Sequence, residues 1–135
     1  MREILFRGKR IDNGEWVKGY LIRPEFDKSR AYIGYLFPDD DHDLDVAEVA
    51  SSTVGRFTGL TDRNCVKIFE GDIVRYGDTI HRVVFEQRNG TAYFGLVYAA
   101  CETLPFGHYQ DLKQIEVIGN IYDNPELLKD GEQNE

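Results

Sequence analysis

Short runs of aliphatic, β-branched and aromatic residues recur along the chain, alternate with polar ones and break at Gly, Pro or Asn. That spacing predicts strands rather than helices. Residues 4–9 and 16–22 read as a hairpin joined by Asp12-Asn13-Gly14-Glu15, since Asn-Gly tolerates the positive φ of a tight turn. Residues 31–37 form a third strand that stops at Pro38 and an acidic loop, 39–45. Residues 46–50 fit a strand better than a short helix, and 53–60 are β-rich, with Gly55 and Gly59 read as close-packed strand glycines. In residues 68–76, Glu70-Gly71-Asp72 turns the chain into an alternating strand. Gly71 supplies an unusual φ there and Asp72 an acceptor for nearby amides. Residues 81–86 and 91–98 continue the pattern, with turns at Gly77-Asp78 and Asn89-Gly90. Pro105 and Gly107 make 101–113 a loop. Residues 115–122 are the last strand, and Asn124-Pro125-Glu126 opens a short helix, with Asn124 as N-cap and Pro125 at the first helical position.

These elements amount to a mainly β fold. The expected form is a small antiparallel barrel resembling SH3-like folds, with an additional N-terminal hairpin or sheet lobe and a short C-terminal helix. The length of 135 residues suits a single domain, 1–135, with sublobes at 1–50 and 51–130 and a polar tail at 131–135.

Charge refines this picture. The chain carries −8 overall, but residues 1–30 hold eight Lys/Arg against five acids while residues 31–48 hold six acids and no base. An acidic whole disfavours nonspecific nucleic-acid binding, although a basic patch in the first thirty residues is compatible with these numbers. The cysteines, Cys65 and Cys101, form no CxxC pair and read as free thiols of a reducing compartment, with a single disulfide as the alternative. The N-terminus lacks a signal-peptide pattern and no apolar run is long enough to span a bilayer. A cytoplasmic location in a bacterial host cell, with no membrane partner, is the expectation.

Candidate chemistry is sparse. Asp39, Asp41, Asp43 and Asp45 alternate and so fall on one side of an extended segment, a spacing that could suit Ca²⁺ or Mg²⁺. They do not make an EF-hand loop: counted from Asp39, Leu44 stands at the Gly position and Ala50 at the Glu position. A solvated acidic loop explains them better. Glu70 and Asp72 could pair for acid–base work, but a turn whose Asp bonds the backbone accounts for the segment more simply. His42, His81 and His108 show no zinc-binding spacing and read as surface or half-buried side chains. Cys101 with His108 could make a nucleophile pair only if the fold brings them together. Tyr20, Tyr32, Tyr35, Tyr93 and Tyr98 could line a stacking surface for single strands, but aromatics more often pack a sheet face.

Three ordered blocks carry a resemblance. Thr53-Val54-Gly55-Arg56-Phe57-Thr58-Gly59-Leu60, Ile68-Phe69-Glu70-Gly71-Asp72-Ile73-Val74 and Glu116-Val117-Ile118-Gly119-Asn120-Ile121-Tyr122-Asp123-Asn124-Pro125-Glu126-Leu127-Leu128 resemble the YopX family. Phe6-Arg7-Gly8-Lys9 and Trp16-Val17-Lys18-Gly19-Tyr20 are similar to its N-terminal region. The family commonly has Asn-Gly ahead of its Glu-Gly-Asp block, whereas Asn64 is followed here by Cys65, so either the turn is wider or Cys65 takes a strained φ. The resemblance implies a phage or prophage origin and brings no established reaction with it.

The functional expectation is a non-catalytic phage accessory protein that binds a host or phage protein or self-assembles as an oligomer, needing no cofactor. The alternatives are a nucleic-acid-binding or DNA-mimic module, and an enzyme whose site is assembled from distant segments.

Overall fold

The computed structural model describes residues 5–37, 40–88, 91–98, 102–105 and 112–131. The chain divides into two compact units, residues 1–57 and 58–135. The division falls inside a strand, beyond the acidic segment.

The first unit contains β1 (Phe6–Lys9), β2 (Trp16–Ile22), β3 (Ala31–Phe37), β4 (Asp40–Val49), a 3-10 turn (Ser51–Thr53) and the start of β5 (Gly55–Thr61). Its strands lie in the order β4-β3-β2-β1-β5. The β1–β2 hairpin closes as the Asn-Gly signal dictates: Gly14 has φ +75°, and Asn13 Oδ1 accepts the Glu15 amide at 2.9 Å. One face of this sheet packs Ala31, Ile33 and Val49 with Phe6, Val17, Leu21 and Val54. Alternation along each strand sends the intervening residues to the other face.

In the second unit, β5 runs on to β6 (Lys67–Phe69), and five strands form a sheet in the order β10-β9-β8-β7-β11. These are β7 (Asp72–Tyr76), β8 (Thr79–Arg88), β9 (Thr91–Tyr98), β10 (Glu102–Pro105) and β11 (Ile115–Asn120). A 3-10 turn (Leu112–Gln114) precedes β11, and α1 (Glu126–Gly131) packs against β8. The core is Ile68, Val74, Val83, Leu96 and Ile115, with Tyr76 and Val117 against it. Phe85 and Phe94 stand opposite each other on β8 and β9, with ring centroids 4.9 Å apart.

The mainly β expectation holds, as two antiparallel sheets and one short helix. Among the described residues the sheets are open, and no barrel closure is seen. Two local readings are corrected. Most of the acidic segment is strand rather than loop, because β3 offers a ladder that continues to Asp45, Leu44 and Asp40 opposite Tyr35, Leu36 and Phe37. β4 is an edge strand, where charged side chains are tolerated and discourage further pairing. Residues 102–105 are likewise a strand, pairing with β9 from Tyr98 to Gly95. Pro105 is accommodated because β10 is also an edge.

Candidate functional site

The residues that the sequence marks as motifs do structural work. Gly71 has φ +95°, and Asp72, only 2% exposed, accepts the Phe69 amide through Oδ2 at 2.7 Å. This closes the turn between β6 and β7. Gly55 sits opposite Arg7 at the start of β5, and Gly59 has φ +90°. Gly119 lies against Asn124, whose Oδ1 accepts the Asn120 amide at 3.3 Å, so this side chain braces the turn leading into α1. Pro125 contributes its carbonyl to the first turn, accepting from the Leu128 amide. His81, read from sequence as surface or half-buried, is instead buried. Its Nδ1 lies 2.9 Å from the Val97 carbonyl and its Nε2 2.7 Å from Thr79 Oγ1, so it ties β8 to β9.

The acidic alternation has a partial answer. Asp45 accepts from the Tyr35 hydroxyl at 3.0 Å and from the Val46 amide at 2.8 Å. Asp39 and the side chains of Asp41 and Asp43 lie outside the described residues, as do Cys101, His108 and the side chain of His42. Among the described residues no three His, Cys, Asp or Glu side chains gather as metal ligands would. The five tyrosines do not share one surface. Tyr20 and Tyr32 fall on one face of the first sheet, whereas Tyr35 follows the opposite parity and Tyr93 belongs to the second unit; the Tyr98 side chain is outside the described residues.

Two surfaces remain. The first is the face of β2–β3–β4 turned away from the core of the first unit. Register places Tyr20, Gly34 and Val46 in one row across the strands and Ile22, Tyr32 and Glu48 in the next. Tyr20 is 65% exposed, Ile22 41% and Val46 48%. Phe26, in the β2–β3 connection just beyond Ile22, is 84% exposed. Four large apolar side chains are therefore left in water, three on the β2 and β4 rows of this face and Phe26 in the β2–β3 connection. Further along the same face, Arg7 and Lys9 lie across from Lys18 and Trp16, with the Arg7 guanidinium 4.8 Å and the Lys9 ammonium 5.9 Å from the Trp16 ring. Sequence reading found the tyrosines but missed Ile22, Val46 and Phe26, which look like ordinary strand residues until the register shows which face they occupy.

The second is a cleft of about 530 Å³ in the second unit, lined by Arg63, Arg75, Gly77, Lys113, Gln114 and Glu116. Its construction starts from Asp62. This buried carboxylate accepts the Asn64 and Val66 amides on Oδ1 and the Val117 amide on Oδ2. The Arg63 amide donates to the Ile115 carbonyl at 2.9 Å. Loop 62–66 thus satisfies the outer edge of β11 and fixes the Arg63 backbone beside it. Burial, the largest single influence, pushes the Asp62 carboxyl up; the Val117, Val66 and Asn64 amides and the nearby Arg63 charge outweigh it and hold the group below the usual carboxylate range. Arg75 and Glu116 stand opposite each other on β7 and β11 and pair at 2.6 Å. Lys113 and Gln114 come from the 3-10 turn before β11, and Gly77 from the β7–β8 turn. No sequence signal marks these residues, because strand pairing alone brings them together.

Comparison with known proteins adds the lineage. A profile described as YopX protein matches residues 5–129. The chain belongs to the YopX family. Among solved structures, the crystal structure of protein EF1440 from Enterococcus faecalis is similar, with a TM-score of 0.54 and 21% identity over 95% of this chain and 99% of that one. Among curated proteins none matches the chain. Neither the YopX description nor that of EF1440 names an activity, so the likeness speaks to the fold. Among the described residues no helix is long and apolar enough to cross a membrane.

Proposed function

We propose that this YopX-family chain is a non-catalytic binding module, a phage or prophage accessory protein. It engages a partner protein through the exposed face of β2–β3–β4. The observation that carries this reading is the row structure itself, which leaves Tyr20, Ile22 and Val46 together in solvent with Phe26 close by in sequence. Contiguous exposed apolar side chains rimmed by charge are typical of protein-interaction surfaces. Lys18 on the same face and the Arg30–Glu48 pair at 3.3 Å supply such a rim. Three of the buried ionisable groups, Asp62, Asp72 and His81, accept from or bond to backbone, which favours a scaffold role for them over chemistry.

The test compares wild-type protein with a Tyr20→Glu, Val46→Glu double variant as baits in affinity capture from infected host cells. Light scattering separates self-association from binding to another protein. Capture of defined proteins by wild type and their loss from the variant supports the reading. Equal capture by a folded variant refutes it.

A second reading rests on the other end of the same face, where the Lys9 ammonium lies 5.9 Å from the Trp16 ring and exposed Lys18 stands on the same face, while Arg7, stacked on that ring, is buried. Cations beside an indole suit phosphates and stacked bases of a single strand. Filter binding to single-stranded DNA and RNA across a salt series decides it, and absence of binding at low salt removes it.

A further inference from the structure

The cleft of the second unit has a composition that the rest of the chain does not lead one to expect. The protein carries −8, yet among the described residues the lining of this cavity holds three cations, Arg63, Arg75 and Lys113, against one carboxylate, Glu116, a balance of 3 − 1 = +2. We propose that this cleft is a binding site for a small diphosphate-bearing molecule, with Arg63, Arg75 and Lys113 taking the phosphate oxygens. The proposal is independent of the β2–β4 face, which belongs to the other unit.

Four features point to that ligand class. First, two of the three cations, Arg75 and Arg63, sit on fixed backbone. Arg75 sits within β7 and Glu116 holds one guanidinium nitrogen at 2.6 Å; a guanidinium has five N–H donors in a planar fork, so the pair orients the group while leaving donors for an oxyanion. Arg63 follows Asp62, whose carboxylate gathers three amides, and its own amide is bonded to the Ile115 carbonyl. Preorganised cations lose less freedom on binding than cations on free loops. Second, the donors are of the right kind: Arg offers paired N–H groups matched to phosphate oxygens, Lys a point charge, and the Gln114 amide a neutral donor. Third, Gly77 has φ +61°, and a Cβ built there would meet nothing within 4 Å, so the β7–β8 turn leaves this wall open. Fourth, about 530 Å³ lies within the range of small-molecule sites and is larger than one phosphate needs.

The lining also argues against a polymer. Among the described residues it includes no aromatic side chain, whereas single-stranded nucleic acid is held by stacking platforms along a basic groove. The same absence means that a nucleobase would gain little here, so the diphosphate group should dominate recognition.

The experiment is isothermal titration of the full chain with inorganic pyrophosphate and with ADP at low ionic strength, repeated on Arg63→Gln, on Lys113→Gln and on the double variant. The expected result is saturable binding of both probes with affinities within a few-fold of each other, weakened about tenfold or more by each neutralisation, as loss of a charged hydrogen bond implies. ADP binding without pyrophosphate binding would show that the base is the determinant and would overturn the assignment. So would the absence of saturable heat with either probe, unchanged affinity in a folded double variant, or binding of a 5′-phosphorylated oligonucleotide alone. If Arg63→Gln fails to fold, Lys113→Gln still decides, since Lys113 is exposed and outside the Asp62 loop.

Discussion

Cys65 stands in the left-handed region with φ +64°, between Asn64 and Val66, whose amides the Asp62 carboxylate accepts. That conformation costs an L-residue with a Cβ about 1–2 kcal/mol. The departure is legible in the sequence, because Asn64-Cys65 stands where a family Asn-Gly turn is expected; of the two explanations, the strained φ is the one observed. Cys65→Gly should therefore stabilise the protein. The extra entropy of a glycine in the unfolded chain offsets part of the gain, leaving about 0.5–1 kcal/mol in urea denaturation. Asp62, by contrast, carries no sequence mark: an Asp in a polar connection looks like any other until the fold sets Val117 against it. Asp62→Asn should cost about 2 kcal/mol near neutral pH, since charged hydrogen bonds to buried amides are lost. The pH dependence has a defined sign. The folded carboxyl titrates below the ordinary value, so its stabilisation is complete above about pH 4 and is lost as the pH falls through the lower folded value. The gap in urea midpoint between wild type and Asp62→Asn should accordingly narrow in acid.

At the scale of elements, alternation and turn residues account for β2 and β3 to the residue, for the β1–β2 hairpin built on Gly14 and for the β6–β7 turn built on Gly71. Those signals are local, so the sequence displays them. β4 and β10 are different. The acidic run and Pro105 both argue against strand on composition, and each segment becomes a strand only because a neighbour offers an unpaired ladder. Asn124 reads from sequence as a helix cap, and its backbone carbonyl accepts the Leu127 amide, whereas the bond its Oδ1 makes runs backward, to the Asn120 amide. That contact explains why position 119 is glycine: a Cβ there would fall 2.6 Å from Asn124 Oδ1. Gly119→Ala should cost about 1–3 kcal/mol as an overpacking change. The same substitution in an Asn124→Ala background should cost less, because Oδ1 and Cγ, the two nearest atoms, are gone and only the Cβ at 3.0 Å remains. A double-mutant cycle by chemical denaturation measures that coupling.

At the scale of the whole molecule, most residues of the family blocks build scaffold, while a few of them, Tyr20 and Glu116 among them, lie on the two candidate surfaces. Tyr20 could be suspected from its residue type, but its exposed row depends on register with Gly34 and Val46, which a single strand cannot reveal. The cationic cleft was less legible still, since Arg63, Arg75 and Lys113 come from three separate segments. If the β2–β4 face serves recognition rather than folding, replacing its apolar side chains should leave stability nearly intact. Tyr20→Glu and Val46→Glu place charge on exposed positions and should change the melting temperature little. The most direct measurement is quantitative capture from infected host cells with wild type and this double variant side by side, after matching their melting curves. The account predicts that defined proteins are retained by wild type and lost by an equally stable variant. Retention of the same proteins by both, or of none by either, would contradict it.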